Sequence, residues 1–529
     1  MKKIILSVLI IFTGLLILTS CDRGGVTKNR TGSPFGIFGA FGLEHGSFIK
    51  NLNFSAENYW QWVGKNFRDL GAQISRQNTF LIWSRNEPEL GGGYDWSCSS
   101  KSQPEASLNS NNQPGRCGDG VCDPIEKATG NCEADCKNHA IINNDNSSTK
   151  NNDPTCRGDA VLKAAFQYGG ENFNMILTVI PDRKITNDNE KHFKDFVAAA
   201  VKRYSGNGDA QNLDKSVKIK YYQADNEPWI KDQWLKNGNS LEDYIKFLRL
   251  LSGAVKSTDP QAKIILGATE SEDYVTQDLP EGFQTLIKTL KGEKIFDIVD
   301  LHYWGSKDDW QMIAASKMRK LLDDNGYKSV EIWSNENGTN ALPIGNDKNG
   351  QNEFDQASSL FKRYNYNLAH EVDKIAWTSF VDWSCFGGLC GGPFDTMGLI
   401  SDGENNGETK TTLGIPRLSF YTYKLLIEKL KNVDWNNIEV IQESDGIYVY
   451  KYHQANKNIW VAWNENKEKK YLDITGVQAA QVKIIEAIPQ FNQGQEVKDY
   501  ASAFRGTTKA TQNNKVNIYL TNYPVFIEE

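Results

Sequence analysis

Two glutamates each close an apolar run of the sequence, which is a placement typical of catalytic carboxylates. Glu227 ends the run that begins at Val217, and it lies between Asn226 and Pro228. Proline has no backbone N–H to donate to a sheet, so the strand must stop here and leave Glu227 at its carboxyl end. Glu336 closes a second apolar run 109 residues later, just before a glycine turn. Two carboxyl groups of this kind can divide proton transfer and nucleophilic attack between them.

Short apolar runs alternate with helical patterns from residue 34 to residue 432, and eight of the runs predict strands. They are residues 35–41, 72–76, 173–180, 217–227, 263–269, 296–304, 330–336 and 374–383. This alternation predicts an α/β fold, a (β/α)8 TIM barrel. An open doubly wound sheet is less favoured because no glycine-rich phosphate fingerprint follows the first strand. The spacing of the two glutamates equals about three βα units of roughly 36 residues, which puts them on strands 4 and 7.

The composition describes a soluble globular chain with an acidic surplus. The chain has 529 residues, of which 39% are hydrophobic and 24% charged, and its formal net charge is −7. This length predicts two or three structural units. The charge argues against nucleic acid or an anionic membrane surface as the main partner. The 14 Trp and 21 Tyr suit a large core, and they also suit a cleft in which rings stack on sugars.

Residues 433–529 change to strand-like runs separated by polar turns, without helical periodicity. They predict a C-terminal antiparallel β domain, similar to a sandwich, that docks on the barrel. Trp460 and Trp463 are expected to share one face of a strand and to pack against the barrel.

Residues 1–20 have the pattern of a targeting segment. Two lysines precede an apolar run of about 15 residues, which is short for a bilayer span of about 20. The Leu-Thr-Ser-Cys sequence ending at Cys21 resembles the bacterial lipobox. That resemblance implies cleavage before Cys21, lipidation of its thiol and a lipid-anchored exported protein, with residues 21–33 as a tether. The alternative is an ordinary secretory signal with a chance cysteine.

Residues 91–159 interrupt the barrel pattern with a polar segment. An even number of cysteines in a core-poor segment of an exported chain predicts disulfides, with the connectivity left open. The six are Cys98, Cys117, Cys122, Cys132, Cys136 and Cys156. The segment resembles small calcium-binding cysteine-rich repeats of extracellular proteins. That resemblance implies a structural calcium ion held by oxygen ligands from Asp119, Asp123, Glu126 and Asp135. The alternative is an acidic, disulfide-closed segment without metal.

The two glutamates and their neighbours resemble clan A of the glycoside hydrolases, the retaining barrel enzymes. The resemblance rests on Asn226-Glu227-Pro228 after strand 4 and on the Glu-x-Gly sequence at Glu336 after strand 7, and it covers residues 35–432. It implies that Glu227 is the acid/base, with a raised pKa, and that Glu336 is the ionised nucleophile. It also implies that Asn226 binds the sugar 2-hydroxyl.

Other predicted strand ends carry further candidate substrate-binding residues. Arg76 ends strand 2, where the clan commonly has an arginine that orients the nucleophile, and Trp383 ends strand 8, where the clan often has a tryptophan under the sugar. Strand 6 ends in His302, Tyr303 and Trp304, whereas the clan often has His-x-Tyr. Tyr303 points away from the face of His302 on a regular strand. Either a bulge redirects Tyr303, or another group holds the nucleophile.

A second Asn-Glu-Pro sequence occurs at Asn86-Glu87-Pro88. It lacks a long preceding strand, so it is interpreted as incidental. Trp83 and Trp229 lie in the loops after strands 2 and 4, where they either extend a cleft or pack the loops.

These patterns together predict an exported, lipid-anchored, monomeric retaining glycosidase that acts on an extracellular poly- or oligosaccharide without a catalytic cofactor. One alternative is a non-catalytic carbohydrate-binding lipoprotein that keeps the barrel. Another is an adhesion or scaffold module in which the cysteine-rich segment is the working part.

Overall fold

The computed structural model describes residues 30–42, 46–96, 158–208, 211–271, 276–342, 351–383, 393–404 and 412–529. Several predictions fall outside these ranges. They concern the targeting segment with Cys21, the disulfides of the polar segment, and the calcium ligands Asp119, Asp123, Glu126 and Asp135. Within the described ranges, no helix combines the length and the apolar character needed to cross a bilayer.

Eight parallel strands form a closed barrel. They are β1 Phe35–Phe38, β2 Ile74–Ile82, β3 Asn174–Ile180, β4 Tyr221–Ala224, β5 Lys263–Thr269, β6 Ile298–Leu301, β7 Glu331–Gly338 and β8 Lys374–Thr378. The barrel closes where β8 pairs with β1, from Phe35 opposite Ile375 to Phe38 opposite Thr378. A two-residue strand, Tyr303–Trp304, continues β6 and pairs with the end of β7. The predicted eight-stranded parallel barrel is confirmed.

Helices between the strands cover the barrel. They are α1 Gly46–Asn51, α2 Ala56–Leu70, α3 Trp83–Asn86, α4 Gly158–Tyr168, α5 Glu190–Tyr204, α6 Gln233–Lys236, α7 Leu241–Thr258, α8 Glu281–Leu290, α9 Ile313–Asp324, α10 Glu353–Ala369 and α11 Leu418–Leu430. Short 3-10 turns lie at Ile230–Asp232 and Pro393–Thr396. Helix α2 shows how the sequence sets these limits. The Ser55 side chain accepts from the backbone N–H of Asn58 at its start, and Gly71 ends it with φ +86°.

An apolar layer fills the amino-terminal half of the barrel interior. Ile74, Ile176, Ile265, Ile298 and Trp333 pack together there, with Tyr221 against them. Side chains two residues further along a regular strand point to the same side. The next inward layer is polar, and it holds Arg76, Thr178, Gln223 and Asp300, all fully buried. A site of polar side chains therefore lies above an apolar plug, at the carboxyl end of the strands.

The C-terminal domain is a two-layer antiparallel structure. Its strands are β9 Ile438–Ser444, β10 Ile447–Gln454, β11 Lys457–Asn464, β12 Lys470–Thr475, β13 Gln481–Glu486, β14 Gly506–Ala510, β15 Lys515–Leu520 and β16 Val525–Glu528. Six of them form one sheet in the order β9-β10-β11-β16-β13-β14, and β12 pairs with β15. Apolar side chains of both sheets share one core cluster. The predicted antiparallel β domain is confirmed.

The prediction that Trp460 and Trp463 share one face is wrong. They are three residues apart, and an odd interval on a strand puts side chains on opposite faces. Trp463 lies against the barrel, with its ring 5.5 Å from that of Trp310. Trp460 is buried in the core between the two sheets.

Candidate active site

The chain turns sharply after β4 and thereby directs Asn226 and Glu227 into the barrel mouth. Asp225 has φ +69°, and its carboxylate accepts the backbone N–H of Asn226 at 2.7 Å. Strand β5 fixes the turn from the side, because the N–H of Ala268 donates to the carbonyl of Asn226 at 3.0 Å. Gly267 is required there, since a Cβ would lie 2.3 Å from the Ala224 carbonyl oxygen. Glu227 thus lies three residues beyond the end of β4, not on the strand as predicted.

Glu336 reaches the interior because of an irregularity in β7. Asp300 pairs with Trp333, but Tyr303 pairs with Asn337, so β7 contains one more residue than β6 over this stretch. Trp333 points inward, and regular alternation would turn residue 336 outward. The extra residue reverses the alternation and brings Glu336 to the inner side. Its side chain is 7% exposed.

Arg76 connects the two motifs. It is fully buried, and its guanidinium donates to Oε1 of Glu336 and to Oδ1 of Asn226. The Phe38 ring lies 4.9 Å below the guanidinium carbon. Since Oδ1 of Asn226 is engaged by Arg76, the amide N–H groups of Asn226 remain to donate to a ligand.

His302 joins the carboxylates on the other side of the site. Its Nδ1 lies 2.7 Å from Glu227 Oε1, and its Nε2 lies 3.1 Å from Asp300 Oδ2 and 3.8 Å from Glu336 Oε1. Asp300 is itself held by the backbone N–H of Asn335 at 2.9 Å and by the Gln223 amide at 3.2 Å. Both His302 and Asp300 are fully buried.

These charges move the pKa values of the site in opposite directions. Burial alone would lower the pKa of His302, but the charges of Glu336 and Asp300 and the hydrogen bonds to Asp300 and Glu227 raise it to about 10. Burial raises the pKa of Glu336 against the opposing charges of His302 and Arg76. Burial acts on Glu227 in the same sense, but its bond to His302 and the charges of His302 and Arg76 outweigh it and lower its pKa.

The expected raised pKa of Glu227 is therefore not found in this structure. The raised pKa of His302 and the lowered pKa of Glu227 favour an imidazolium paired with a carboxylate at neutral pH. The two glutamates also differ in depth, because the Glu227 side chain is 32% exposed whereas that of Glu336 is 7% exposed. One carboxylate oxygen of each glutamate and a ring nitrogen of His302 all lie within 4.8 Å of one another.

Tyr303 is not brought to this site. Its hydroxyl donates to the carbonyl of Gln311 at 2.9 Å and accepts from the Gln277 amide at 3.0 Å. Regular alternation after His302 turns Tyr303 outward, so no bulge redirects it. The sequence left open whether a bulge redirects Tyr303 or another group holds Glu336. The structure supports the second alternative, because Arg76 holds Glu336.

The predicted tryptophans contribute to an aromatic wall beside the site. Trp304 lies with its ring 5.5 Å from that of His302 and 5.6 Å from that of Phe394. Trp383 lies 6.1 Å from Phe394 and 5.2 Å from Phe38, the residue beneath Arg76. Trp383 is 5% exposed, so this ring is largely buried against its aromatic neighbours. The role of these residues in substrate binding stays a prediction.

The second Asn-Glu-Pro sequence is part of a structural turn. Glu87 is 1% exposed, and its carboxylate accepts from the Trp83 indole at 2.7 Å and from the backbone N–H of Gly91 at 2.9 Å. Asn86 donates to the carbonyl of Asp95 at 2.8 Å. Trp83 is fully buried in this turn.

Trp229 is also fully buried, with its ring 4.8 Å from that of Tyr244. Of the two roles predicted for Trp83 and Trp229, packing of their loops is therefore the one that the structure supports.

Sequence reasoning missed Asp300, Gln223 and Phe394. Asp300 carried a usable signal, since it precedes His302 by two residues and shares its face of the strand. Gln223 has the same relation to Tyr221, one of the inward residues of the apolar layer. Phe394 had no such signal, because it lies in a 3-10 turn after the last strand.

Glu227, His302 and Glu336 are also the residues that offer metal-ligand atoms close together within the described ranges. A divalent ion among them would need both carboxylates free to bind it. The guanidinium of Arg76 already engages Glu336, and its positive charge would repel the ion at short range. The donor set therefore fits proton transfer and nucleophilic attack better than metal binding.

Comparison with known proteins identifies solved structures that share this fold. No protein-family model matches this sequence, and no curated protein matches it. A glucosidase from Croceicoccus marinus aligns with a TM-score of 0.53 and 12% identity, over 88% of this chain and 91% of its own. An alpha-L-arabinofuranosidase from Thermotoga maritima, in complex with arabinose, aligns with a TM-score of 0.52 and 10% identity, over 96% and 98%. A conserved exported protein from Bacteroides fragilis aligns with a TM-score of 0.53 and 12% identity, over 94% and 97%. At these identities the likeness establishes the shared fold alone.

Proposed function

We propose that this protein is a retaining O-glycoside hydrolase that uses Glu227 and Glu336. The observation that carries the proposal is the approach of their carboxylate oxygens to within 4.8 Å. Carboxyl groups of retaining enzymes stand about 5–5.5 Å apart, whereas inverting enzymes need about 6.5–9.5 Å to admit a water molecule. The glycosidase names of two solved structures with this fold support the same assignment.

The depth of each glutamate matches a different step of the reaction. Glu336 lies deep, with its position fixed by Arg76, so its carboxylate is placed to attack the anomeric carbon from below. Glu227 lies nearer to solvent, where it protonates the departing glycosidic oxygen. A water molecule then gives a proton to Glu227 and attacks the glycosyl ester on Glu336. Two inversions at one carbon return the original configuration.

His302 supplies the proton that Glu227 must carry. The raised pKa of His302 favours its protonated form, and its Nδ1 lies 2.7 Å from the Glu227 carboxylate. A neutral sugar that covers Glu227 removes water from it and raises its pKa, which draws the proton across the hydrogen bond. Neutral His302 keeps its Nε2–H bond to Asp300. Asn226, which faces the ligand with its amide N–H groups, is proposed to donate to the 2-hydroxyl in the transition state.

The substrate in this proposal is an extracellular poly- or oligosaccharide, and the protein is an exported monomer held at the membrane by a lipid on Cys21. The solved structure from Bacteroides fragilis is described as an exported protein, which supports export. Incorporation of a labelled fatty acid into the wild-type chain, and the absence of that label from a Cys21→Ser variant, tests the anchor.

Hydrolysis of aryl glycosides followed by proton NMR tests the proposed reaction. We expect the first-formed free sugar to have the anomeric configuration of the substrate, because the reaction passes through two inversions. A product of the opposite configuration would rule out the double displacement. Binding of oligosaccharides without any cleavage would instead support the non-catalytic carbohydrate-binding alternative.

Removal of divalent metal is expected to leave the catalytic rate unchanged. The reacting groups are carboxylates and an imidazole, and Arg76 already neutralises Glu336. Dialysis against EDTA followed by an aryl-glycoside assay at fixed temperature measures the effect. A loss of activity that Ca²⁺ or Zn²⁺ restores, without any change in thermal unfolding, would contradict the metal-free mechanism. A loss of activity accompanied by a lower unfolding temperature would instead indicate an ion that stabilises the fold.

A further inference from the structure

Apart from the candidate active site, a cleft of about 640 Å³ lies where the β domain meets the barrel. We call it the seam cleft. One wall comes from the barrel, with Phe354 near the start of α10 and Leu418 at the start of α11. The other wall comes from the β domain, with residues 489–493 and 522–523. Helix α10 follows β7, so its first residues lie at the end of the barrel that carries Glu336.

A buried carboxylate fixes both walls. Glu353 is 3% exposed, and it accepts the backbone N–H of Gly494, from the β domain, at 2.9 Å and that of Leu418, from the barrel, at 3.0 Å. The Arg417 guanidinium lies 3.8 Å from the same carboxylate. The two domains are therefore tied together directly beside the cleft.

Aromatic rings line the cleft from both sides. Phe354 and Tyr523 meet edge to face with ring centroids 4.8 Å apart, one from each domain. Phe491 is 39% exposed, so part of its ring faces the cleft opening. Exposed ring faces beside polar groups match the alternating apolar and hydroxylated faces of sugar rings.

The polar lining consists of amides. Asn352, Gln490, Asn492, Gln493 and Asn522 line the cleft, and its described lining contains no charged side chain although 24% of the chain is charged. Within the described ranges, the side chains of Asn492, Gln493 and Asn522 make no hydrogen bond, and each amide carries both donors and an acceptor. Neutral groups that can both donate and accept suit vicinal hydroxyls, and the described lining offers no countercharge to an anion.

We propose that the seam cleft is a second carbohydrate-binding site, which takes an uncharged stretch of the polysaccharide and holds the polymer on the catalytic end of the barrel. The proposal rests on the proposed function for the class of substrate. It predicts that the cleft acts on long chains and leaves small substrates untouched.

Affinity electrophoresis of the full chain tests this site. The Glu336→Gln protein, which cannot digest the matrix, is run in native gels that contain soluble arabinoxylan, xyloglucan or mixed-linkage β-glucan. We expect at least one of these neutral polymers to retard the protein. Any retardation by the anionic polymer polygalacturonate should be unchanged by Phe491→Ala and by Asn522→Ala. The added change Phe491→Ala is expected to weaken the retardation about three- to tenfold, which is the range of one aromatic contact. Asn522→Ala should act in the same direction.

Tyr471→Ala is the matched control, since Tyr471 is 73% exposed on the β domain and does not line the cleft. In the catalytically intact protein, Phe491→Ala should raise the KM for the retarding polymer and leave aryl-glycoside kinetics unchanged. The proposal is overturned if no neutral polymer retards the protein, or if Phe491→Ala is retarded as strongly as Tyr471→Ala. If retardation depends on Phe491 but the protein without any substitution cleaves no glycoside, the seam cleft stands as a binding site and the proposed hydrolase activity is refuted.

Discussion

Glu336→Gln is expected to reduce kcat on aryl glycosides by on the order of 10⁴-fold or more, as removal of a covalent nucleophile does. The amide cannot form the glycosyl ester that both halves of the reaction share. The amide keeps the size of the side chain but leaves the buried Arg76 charge without its carboxylate partner, so the variant should fold with reduced stability. Steady-state rates together with circular dichroism and thermal unfolding measure the two effects separately.

Glu227→Ala separates the two steps of the same reaction. A dinitrophenyl leaving group needs no proton, so the glycosyl ester on Glu336 still forms, while its hydrolysis slows without a base. Added azide should attack that ester, restore turnover and give a glycosyl azide with the configuration of the substrate. Azide should not restore Glu336→Gln, because no ester forms there.

The chain contains its own control in the second Asn-Glu-Pro sequence. Glu87→Gln changes the same residue type in the same tripeptide, but Glu87 accepts hydrogen bonds from Trp83 and Gly91 within a loop. It should lower stability by about 1–3 kcal/mol, since a buried acceptor is weakened, and leave kcat unchanged. If Glu87→Gln lost activity and Glu336→Gln kept it, the assignment of the pair would be wrong.

The barrel and its two glutamates were predictable because they depend on local signals. Alternating apolar runs mark the strands, and Pro228 shows where one of them stops. Strand limits were less accurate. The predicted strand 217–227 shrinks to Tyr221–Ala224, because the left-handed Asp225 turns the chain before Asn226.

The inward direction of Glu336 was not predictable from strand periodicity. It depends on one extra residue in β7 relative to β6, and such a bulge is visible only once the two strands are paired. The role of Asp300 depends likewise on three-dimensional contacts, although its spacing from His302 was available. The pKa order of Glu227 and Glu336 could not be inferred from the motifs, because it is set by how deeply each carboxylate is buried and by which of them lies closest to His302.

Arg76 is the cation that bonds directly to the Glu336 carboxylate. It is fully buried between Glu336 and Asn226, and it lies on Phe38 rather than in water. His302 lies 3.8 Å from Glu336 and is bonded more closely to Glu227 and Asp300. Arg76 is therefore the cation bonded directly to the nucleophile, and the charge of His302 acts on Glu336 beside it.

Arg76→Met is expected to lower the free energy of unfolding by about 3–5 kcal/mol at neutral pH, the usual cost of leaving a buried charge without its partner. It should also raise the pKa of Glu336 further, because the Arg76 charge now opposes the effect of burial. A carboxyl whose folded pKa exceeds its unfolded value binds more protons when folded, so stability falls as pH rises through that range. The loss should therefore be smallest in acid and largest at neutral pH. Urea unfolding from pH 4.5 to 8 measures it.

A double variant decides whether this loss arises from the ion pair. Arg76→Met with Glu336→Gln removes both charges, and it should be more stable at neutral pH than Arg76→Met alone. Arg417→Met is the matched control, since Arg417 is 1% exposed and pairs with Asp382 outside the site. Its loss of stability should be unaffected by Glu336→Gln. Equal stability of Arg76→Met with and without Glu336→Gln would show that Arg76 acts by packing on Phe38 and not as the countercharge of the nucleophile.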